Sequence, residues 1–388
     1  WLKRPPIFLP AHRSHVPSGR PSSTWAQMVL EAHVTADEQK VRQELYHVCV
    51  RGNADQAAGI VDALPQAEVN SFCLELDAEG SSALHIAARH GHLRLVQELV
   101  QRGCEANVVD GHARTPLHVA SLEGHAELAL ELLMARSDPN AIDLLHETAL
   151  HKAVLSDSTE VLEVLLDHAC ADASIGDGVG CTPALLAAER GKVDCLQLML
   201  KRDSNLVNAT NQSGWTALHL AAHGDQVQRS ITTSRAPKFP ASLRLLLDAK
   251  ADVHAKDEDS KMPLHRVACT GNVESATILV EAGADLSAAD ICRWTPLHYA
   301  CQEGHVKMVQ LLCAAKAIVQ AENPSCLSPL AVATMENQVR VAELLMKFGA
   351  DPNLRGKGLA SPLMIARKEP DKYHDILGLF ELGFVSHK

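Results

Sequence analysis

One short string, returning every 33 or 34 residues, constrains this chain more than any other feature. It reads Ser82-Ala83-Leu84-His85, Thr115-Pro116-Leu117-His118 and Thr148-Ala149-Leu150-His151. It continues as Thr182-Pro183, Thr216-Ala217-Leu218-His219, Met262-Pro263-Leu264-His265 and Thr295-Pro296-Leu297-His298, and closes with Ser328-Pro329-Leu330 and Ser361-Pro362-Leu363. Successive starts lie 33, 33, 34, 34, 46, 33, 33 and 33 residues apart. Self-similarity at such a period predicts a stack of like units. The length of 388 residues agrees, because single cores stop growing near about 250–300 residues while a stack can be extended.

Each unit reads as two helices and a turn. Thr or Ser suits the N-cap, Pro the first helical position, and His at the third can reach back to the cap. A short helix then ends at Gly in several units (Gly91, Gly124, Gly191, Gly271, Gly304). The second helix carries paired leucines, such as Leu132-Leu133 and Leu246-Leu247, and ends near Gly-Ala-Asp, as at Gly283-Ala284-Asp285. An extended turn opens with Asp77, Asp110, Asp143, Asp177, Asp257 or Asp290, where the carboxylate can close an Asx-turn. Helices this short cannot bury their apolar faces alone, so neighbouring units must stack.

Composition narrows the setting. Apolar residues make up 46% but aromatics only 3%, which leaves Ala, Leu and Val to form close-packed helices. Net charge is −11; residues 1–40 hold five Lys/Arg against three Asp/Glu, so the remainder is more acidic still. An acidic body repels phosphate backbones and disfavours nucleic acid as a ligand, whereas basic protein surfaces suit it. Eleven cysteines without a C-x-x-C pair, including Cys49, Cys195, Cys269, Cys301 and Cys313 in helical patterns, read as reduced, buried small hydrophobes. With no apolar run near 18 residues, the expectation is a cytoplasmic protein, nuclear or within an organellar assembly at the alternative, without membrane insertion.

In spacing, motif order and turn, the chain resembles the ankyrin-repeat family over roughly residues 43–388. The resemblance implies an all-α solenoid of stacked helix-turn-helix units with β-hairpin tips. We expect residues 1–40 to be a basic, Pro-rich, unstructured leader, and 41–81 a degenerate N-terminal capping repeat. Eight repeats fill 82–360, with an insertion near 224–240, and 361–388 form a C-terminal cap. Trp1 in place of an initiator Met implies a trimmed or processed chain or a fragment.

Candidate chemistry yields to framework. His85, His118, His151, His219, His265 and His298 occupy one repeat position; six equivalent catalytic groups are implausible, while six helix-start hydrogen bonds are not. Cys292, His298, Cys301 and His305 form the most metal-like group, but both histidines are framework positions and the Cys spacing fits no common zinc site. Phosphate loops and nucleophile motifs are missing. The expectation is therefore no catalytic residue, no metal, no cofactor and no small-molecule substrate.

Positions that vary between units point to partners. The residue after Leu-His gives Lys152, Arg266 and Tyr299; later positions on the first helices give Arg190 and Glu303. Trp215 and Trp294, with Arg293 beside the latter, precede helix caps at hairpin tips and are candidate interface anchors, although Trp at this place in the family packs over the neighbouring hairpin. Asn107, Asn140 and Asn353 each follow a Leu by eight residues and an acid by two. That pattern resembles acceptor sites of the asparaginyl hydroxylase that modifies ankyrin repeats.

These readings converge on a non-enzymatic scaffold or adaptor that binds a basic protein surface or segment through its concave face and hairpin tips. Two alternatives stay open: the substrate-recruiting part of a ubiquitin-ligase receptor, though no Leu-Cys box follows the last repeat before Lys388, and a fixed subunit of a large cytoskeletal or organellar assembly.

Overall fold

Short helices in succession, each too small to hide its apolar side alone, assemble into one continuous stack. The structure, a computed structural model, describes residues 36–64, 69, 73–167, 171–227, 239–320, 327–355 and 360–383. Among these, twenty α-helices form ten successive pairs. The first pair is α1 (Ala36–Arg51) with α2 (Ala54–Asp62). Then come α3 (Ala83–Arg89) with α4 (Leu93–Gln101), α5 (Pro116–Glu123) with α6 (Ala126–Met134), and α7 (Ala149–Ser156) with α8 (Thr159–Asp167). α9 (Pro183–Glu189) pairs with α10 (Val193–Arg202), α11 (Ala217–Val227) with α12 (Phe239–Asp248), and α13 (Pro263–Thr270) with α14 (Val273–Glu281). α15 (Pro296–Gln302) with α16 (Val306–Ala314), α17 (Pro329–Met335) with α18 (Val339–Lys347), and α19 (Pro362–Lys368) with α20 (His374–Gly383) complete the array.

Every first helix packs on its own partner and on the first helices of adjacent units, and the second helices make a parallel layer. Small residues set the first layer: Ala87, Ala88, Ala120, Ala153, Ala187, Ala221, Ala268 and Ala300 are fully buried. The second layer is filled by Leu99, Leu132, Leu165, Leu246, Leu279, Leu312 and Leu345, also fully buried. The layer built on alanine brings its helices closer together than the layer built on leucine. A single apolar core runs from Leu45 to Phe380.

The cap at each helix start does two things. His85 Nδ1 accepts from the Ser82 amide at 3.1 Å, and its Nε2 donates to the carbonyl of Arg114, in the next unit, at 2.7 Å. His118 repeats this with Thr115 and Glu147 O, and His298 with Thr295 and Leu327 O. His151, His219 and His265 bridge likewise to Cys181, Lys261 and Trp294. One side chain thus closes its own helix and clamps the next unit. A second clamp uses glycine: a Cβ on Gly91, whose φ is +71°, would lie 2.7 Å from the His125 ring of the following unit. Gly271 and His305 stand in the same relation.

The tips differ from the expected β-hairpins. Among the described residues no strand forms, and the only bridge is the isolated antiparallel pair Thr210 and Thr216. The tips are instead tight turns closed by a side-chain oxygen: Asp143 Oδ1 accepts the amides of Leu145 (2.8 Å) and Glu147 (2.9 Å), and Asn211 Oδ1 those of Ser213 and Trp215 (3.0 Å each). One backbone bond joins each tip to the next: Gly111 N–H to Glu79 O (2.7 Å), Leu144 to His112 (3.1 Å), Gly178 to Leu145 (3.1 Å) and Gln212 to Val179 (3.2 Å). Within a tip the backbone bonds close a tight turn, such as Asp143 N–H to Glu147 O and His146 N–H to Asp143 O, and do not extend into a ladder.

Helix α1 begins at Ala36, inside the span expected as leader, whose residues 1–35 lie outside the described residues. Of the insertion near 224–240, residues 228–238 also lie outside them. Around it, α11 continues through Gly224 to Val227, and Phe239, fully buried, starts α12. Gly224 makes this possible, since a Cβ there would meet the Phe239 ring and sit 2.7 Å from Glu189 O. No helix among the described residues is long and apolar enough to cross a membrane.

Candidate functional site

The turn carboxylates decide which variable side chains remain available. Oδ1 of each tip aspartate closes the turn; Oδ2 of Asp77, Asp143, Asp257 and Asp290 takes a side chain from the helix that follows, and Oδ2 of Asp110 takes Arg114. Lys152, expected at the interaction face, is buried, with Nζ 2.5 Å from Asp143 and 2.6 Å from Glu147. Burial works against the Asp143 carboxylate, but Lys152 and the Glu147 and Leu145 amides outweigh it and hold its pKa below the usual range. Arg266 binds Asp257 in the same register, and its guanidinium lies 4.0 Å from the Trp215 ring. The Tyr299 hydroxyl donates to Asp290 at 2.7 Å; burial, reinforced by that carboxylate, pushes the phenol well up. All three sit nine residues after the aspartate they brace. Lys152, Arg266 and Tyr299 thus direct their polar ends into the turn, each paired with a tip carboxylate.

Trp215 is likewise buried, beneath Arg266 and edge-on to His223 at 5.3 Å. Its role is to roof the turn beneath the next unit, so it is no exposed anchor. Trp294 is half-buried between His298 (5.7 Å) and Tyr299 (5.3 Å). Arg190 is half-buried at the end of α9, 3.5 Å from Glu189. Arg293 and Glu303 are exposed, Arg293 at a tip and Glu303 as the C-cap of α15. Arg293 has φ of +55°, the left-handed position that Gly80, Gly180 and Gly214 hold in other tips.

Two of the three candidate hydroxylation acceptors, Asn107 and Asn140, staple adjacent units. Asn107 Oδ1 accepts from the Asp138 amide of the next unit at 2.7 Å, and its Nδ2 donates to Arg136 O at 3.1 Å. Asn140 accepts from Asp172 at 2.8 Å. Asn208 does the same for Asp252 at 2.9 Å, a member missed in the sequence because Leu206, not an acid, precedes it. Asn353, among the described residues, bonds its own Asp351.

The groups that resemble chemistry are tied down. Burial holds the rings of His85, His118, His219 and His265 below the ordinary imidazole value, His219 at about 4. His305 donates to Cys269 O, and Cys301 is fully buried while Cys292 is exposed. Among the described residues no three His, Cys, Asp or Glu side chains converge as a metal ion would need. Cys49, Cys195 and Cys313 are buried, and desolvation lifts their thiols, Cys49 and Cys195 to about 12 and Cys313 to about 11.

The tips also expose apolar side chains. Val109, Ile142, Leu144, Leu145 and Val179 are large, exposed and located at tips. The signal was present as the Leu144-Leu145 pair directly after an Asx-turn aspartate, where polar residues are the norm.

A family profile described as Ankyrin repeats (3 copies) matches residues 46–143, 84–178, 132–207, 150–229, 234–323 and 284–356. Among curated proteins, the nuclear factor NF-kappa-B p105 subunit of Gallus gallus is 30% identical over 254 residues, 65% of this chain and 21% of that protein. The E3 ubiquitin-protein ligase KEG of Arabidopsis thaliana is 28% identical over 122 residues, 31% of this chain and 7% of the ligase. The chain therefore spans well under two thirds of either relative.

Proposed function

We propose that this chain, which belongs to the ankyrin-repeat family, is a non-enzymatic adaptor or scaffold that holds a protein partner across its first helices and turn tips. Ankyrin repeats are protein-binding modules. The observation that carries the reading is the division of labour among polar groups. Histidines at the helix starts are hydrogen-bonded at both ring nitrogens, and the tip aspartates bind amides on one oxygen and a side chain on the other. Chemistry at those groups would dismantle the stack, whereas the exposed Arg293 and Glu303 can change without touching it. The net charge of −11 favours a partner with a basic surface over nucleic acid, in the cytoplasm. Residues 41–81 and 361–388 act as its caps. Asn107, Asn140 and Asn353 are acceptors for hydroxylation, detectable as one added oxygen by peptide mass spectrometry. A second reading, recruitment of a substrate to a ubiquitin ligase, draws on the likeness to KEG and would make that partner a ubiquitination target.

The test is proximity labelling with the full chain in its native cell, beside an Arg293→Gly/Glu303→Ala/Arg190→Ala variant. We expect a small set of proteins with basic segments, depleted for the variant. Labelling no richer than that of an inert protein of equal size would end the proposal.

A further inference from the structure

The tips before Thr115, Thr148 and Thr182 form a neutral, apolar strip. Val109 is 56% exposed, Ile142 44%, Leu144 66%, Leu145 50% and Val179 54%. Single exposed hydrophobics are ordinary, but a contiguous group on a folded surface marks an interaction site. Contiguity here is covalently and hydrogen-bond defined: Leu144 is bonded through its amide to His112 O, and Leu145 through its carbonyl to Gly178. Charge has been withdrawn from the strip. Asp110, Asp143, Glu147, Lys152 and Asp177 are buried, and Arg114 is paired with Asp110. Later tips expose charge as well: Lys256 and Glu258 at one, and Arg293 beside the exposed Ile291 at another.

The backbone restricts what can sit there. Every amide from 110 to 114, from 143 to 147 and from 177 to 181 already donates to an acceptor within the array. An added strand would find no donors, so recognition must run through side chains, as it does for the apolar face of a helix. A second row follows the strip, made of the exposed acids Glu105, Asp138 and Asp172, one per unit. Asn107 and Asn140 link its members. With helix layers about 8–10 Å apart, three units span roughly 20–30 Å. That is the length of about 14–20 helical residues.

We propose that this strip docks an amphipathic helix of a partner protein, its apolar face on Leu144, Leu145 and Val179 and its basic edge toward Glu105, Asp138 and Asp172. The inference rests on the protein-binding reading above and names the chemistry of the partner.

The probe is a labelled helical peptide of about 18 residues with one leucine face and one lysine face, titrated into the full chain by fluorescence anisotropy. We expect Leu144→Ser/Leu145→Ser/Val179→Ser to weaken binding at least about tenfold. Its thermal melt should be unchanged, since all three sites are exposed. A leucine/glutamate peptide should bind at least about tenfold more weakly than the lysine one, a gap that Glu105→Gln/Asp138→Asn/Asp172→Asn narrows. Undiminished binding by the serine variant overturns the strip. If that binding is instead lost in the Arg293→Gly/Glu303→Ala/Arg190→Ala variant, a partner-binding role stands and only the strip falls. A wild-type dimer that dissociates in the serine variant, or vesicles of anionic phospholipid that bind through the same leucines, would assign the strip to a second copy or a membrane and likewise overturn it.

Discussion

At Lys152 a cation, an aspartate and a glutamate meet out of contact with water. Asp143 uses one oxygen to close its turn and the other to hold the ammonium, while Glu147 supplies a second carboxylate at 2.6 Å. Removing the lysine would strand two acids in a desolvated site. Lys152→Met is therefore expected to destabilise the protein by about 3–5 kcal/mol, read as a lower urea midpoint at constant m-value. A loss under about 1 kcal/mol, the value of a surface ion pair, would show that the triad is solvated. The amino acid at this position was recognised in the sequence as variable between units. Its direction was not legible, because it depends on the second oxygen of an aspartate nine residues earlier. The same holds for Arg266 and Tyr299, paired with Asp257 and Asp290, while the histidine caps, whose partner sits three residues away, were legible.

At the scale of helices, glycine marks the places where units touch. Gly224 lies inside α11 against Phe239 and Glu189 O, in space that a methyl group would need. Gly224→Ala should cost about 1–3 kcal/mol by overpacking. Gly59→Ala, inside α2 with no atom within 4 Å of the added carbon, should instead stabilise by about 0.5–1 kcal/mol through helix propensity. Opposite shifts in the two thermal melts would separate packing from propensity; equal shifts would refute the assignment of Gly224 to the interface. The insertion was visible in the sequence as a gap of 46 residues between motifs, but the extension of α11 through Gly224 to Val227 was not. Several other units end the first helix at a glycine nine residues after the cap; here that position is Asp225, and Gly224, one residue earlier, lies inside the helix against a ring from beyond the insertion.

Across the whole array the buried histidines couple stability to pH. Folding lowers the pKa of His85, His118, His219 and His265 below the ordinary 6.5, His219 to about 4. As pH falls below 6.5 the unfolded chain takes up protons that the folded chain refuses, so stability is present above that value and declines toward about 4. Each such ring contributes a slope of up to about 1.4 kcal/mol per pH unit. Urea unfolding at about pH 7.5 and pH 5.5 should show a clear fall in midpoint, and identical midpoints would contradict neutral, bridging rings. Because the same ring that caps one unit also clamps the next, protonation should loosen interfaces along the stack together.

The repeat period, the capping chemistry and the apolar pairs were determined by the sequence alone. Each relies on partners a few residues away or one period on, and so recurs where it can be recognised. Only the tertiary structure decided that the tips are turns stitched to one another, that Lys152, Arg266 and Tyr299 face inward, and that Leu144, Leu145 and Val179 face out. Those outcomes turn on which atoms of neighbouring units compete for the same carboxylate or amide, and that competition exists only once the units are stacked.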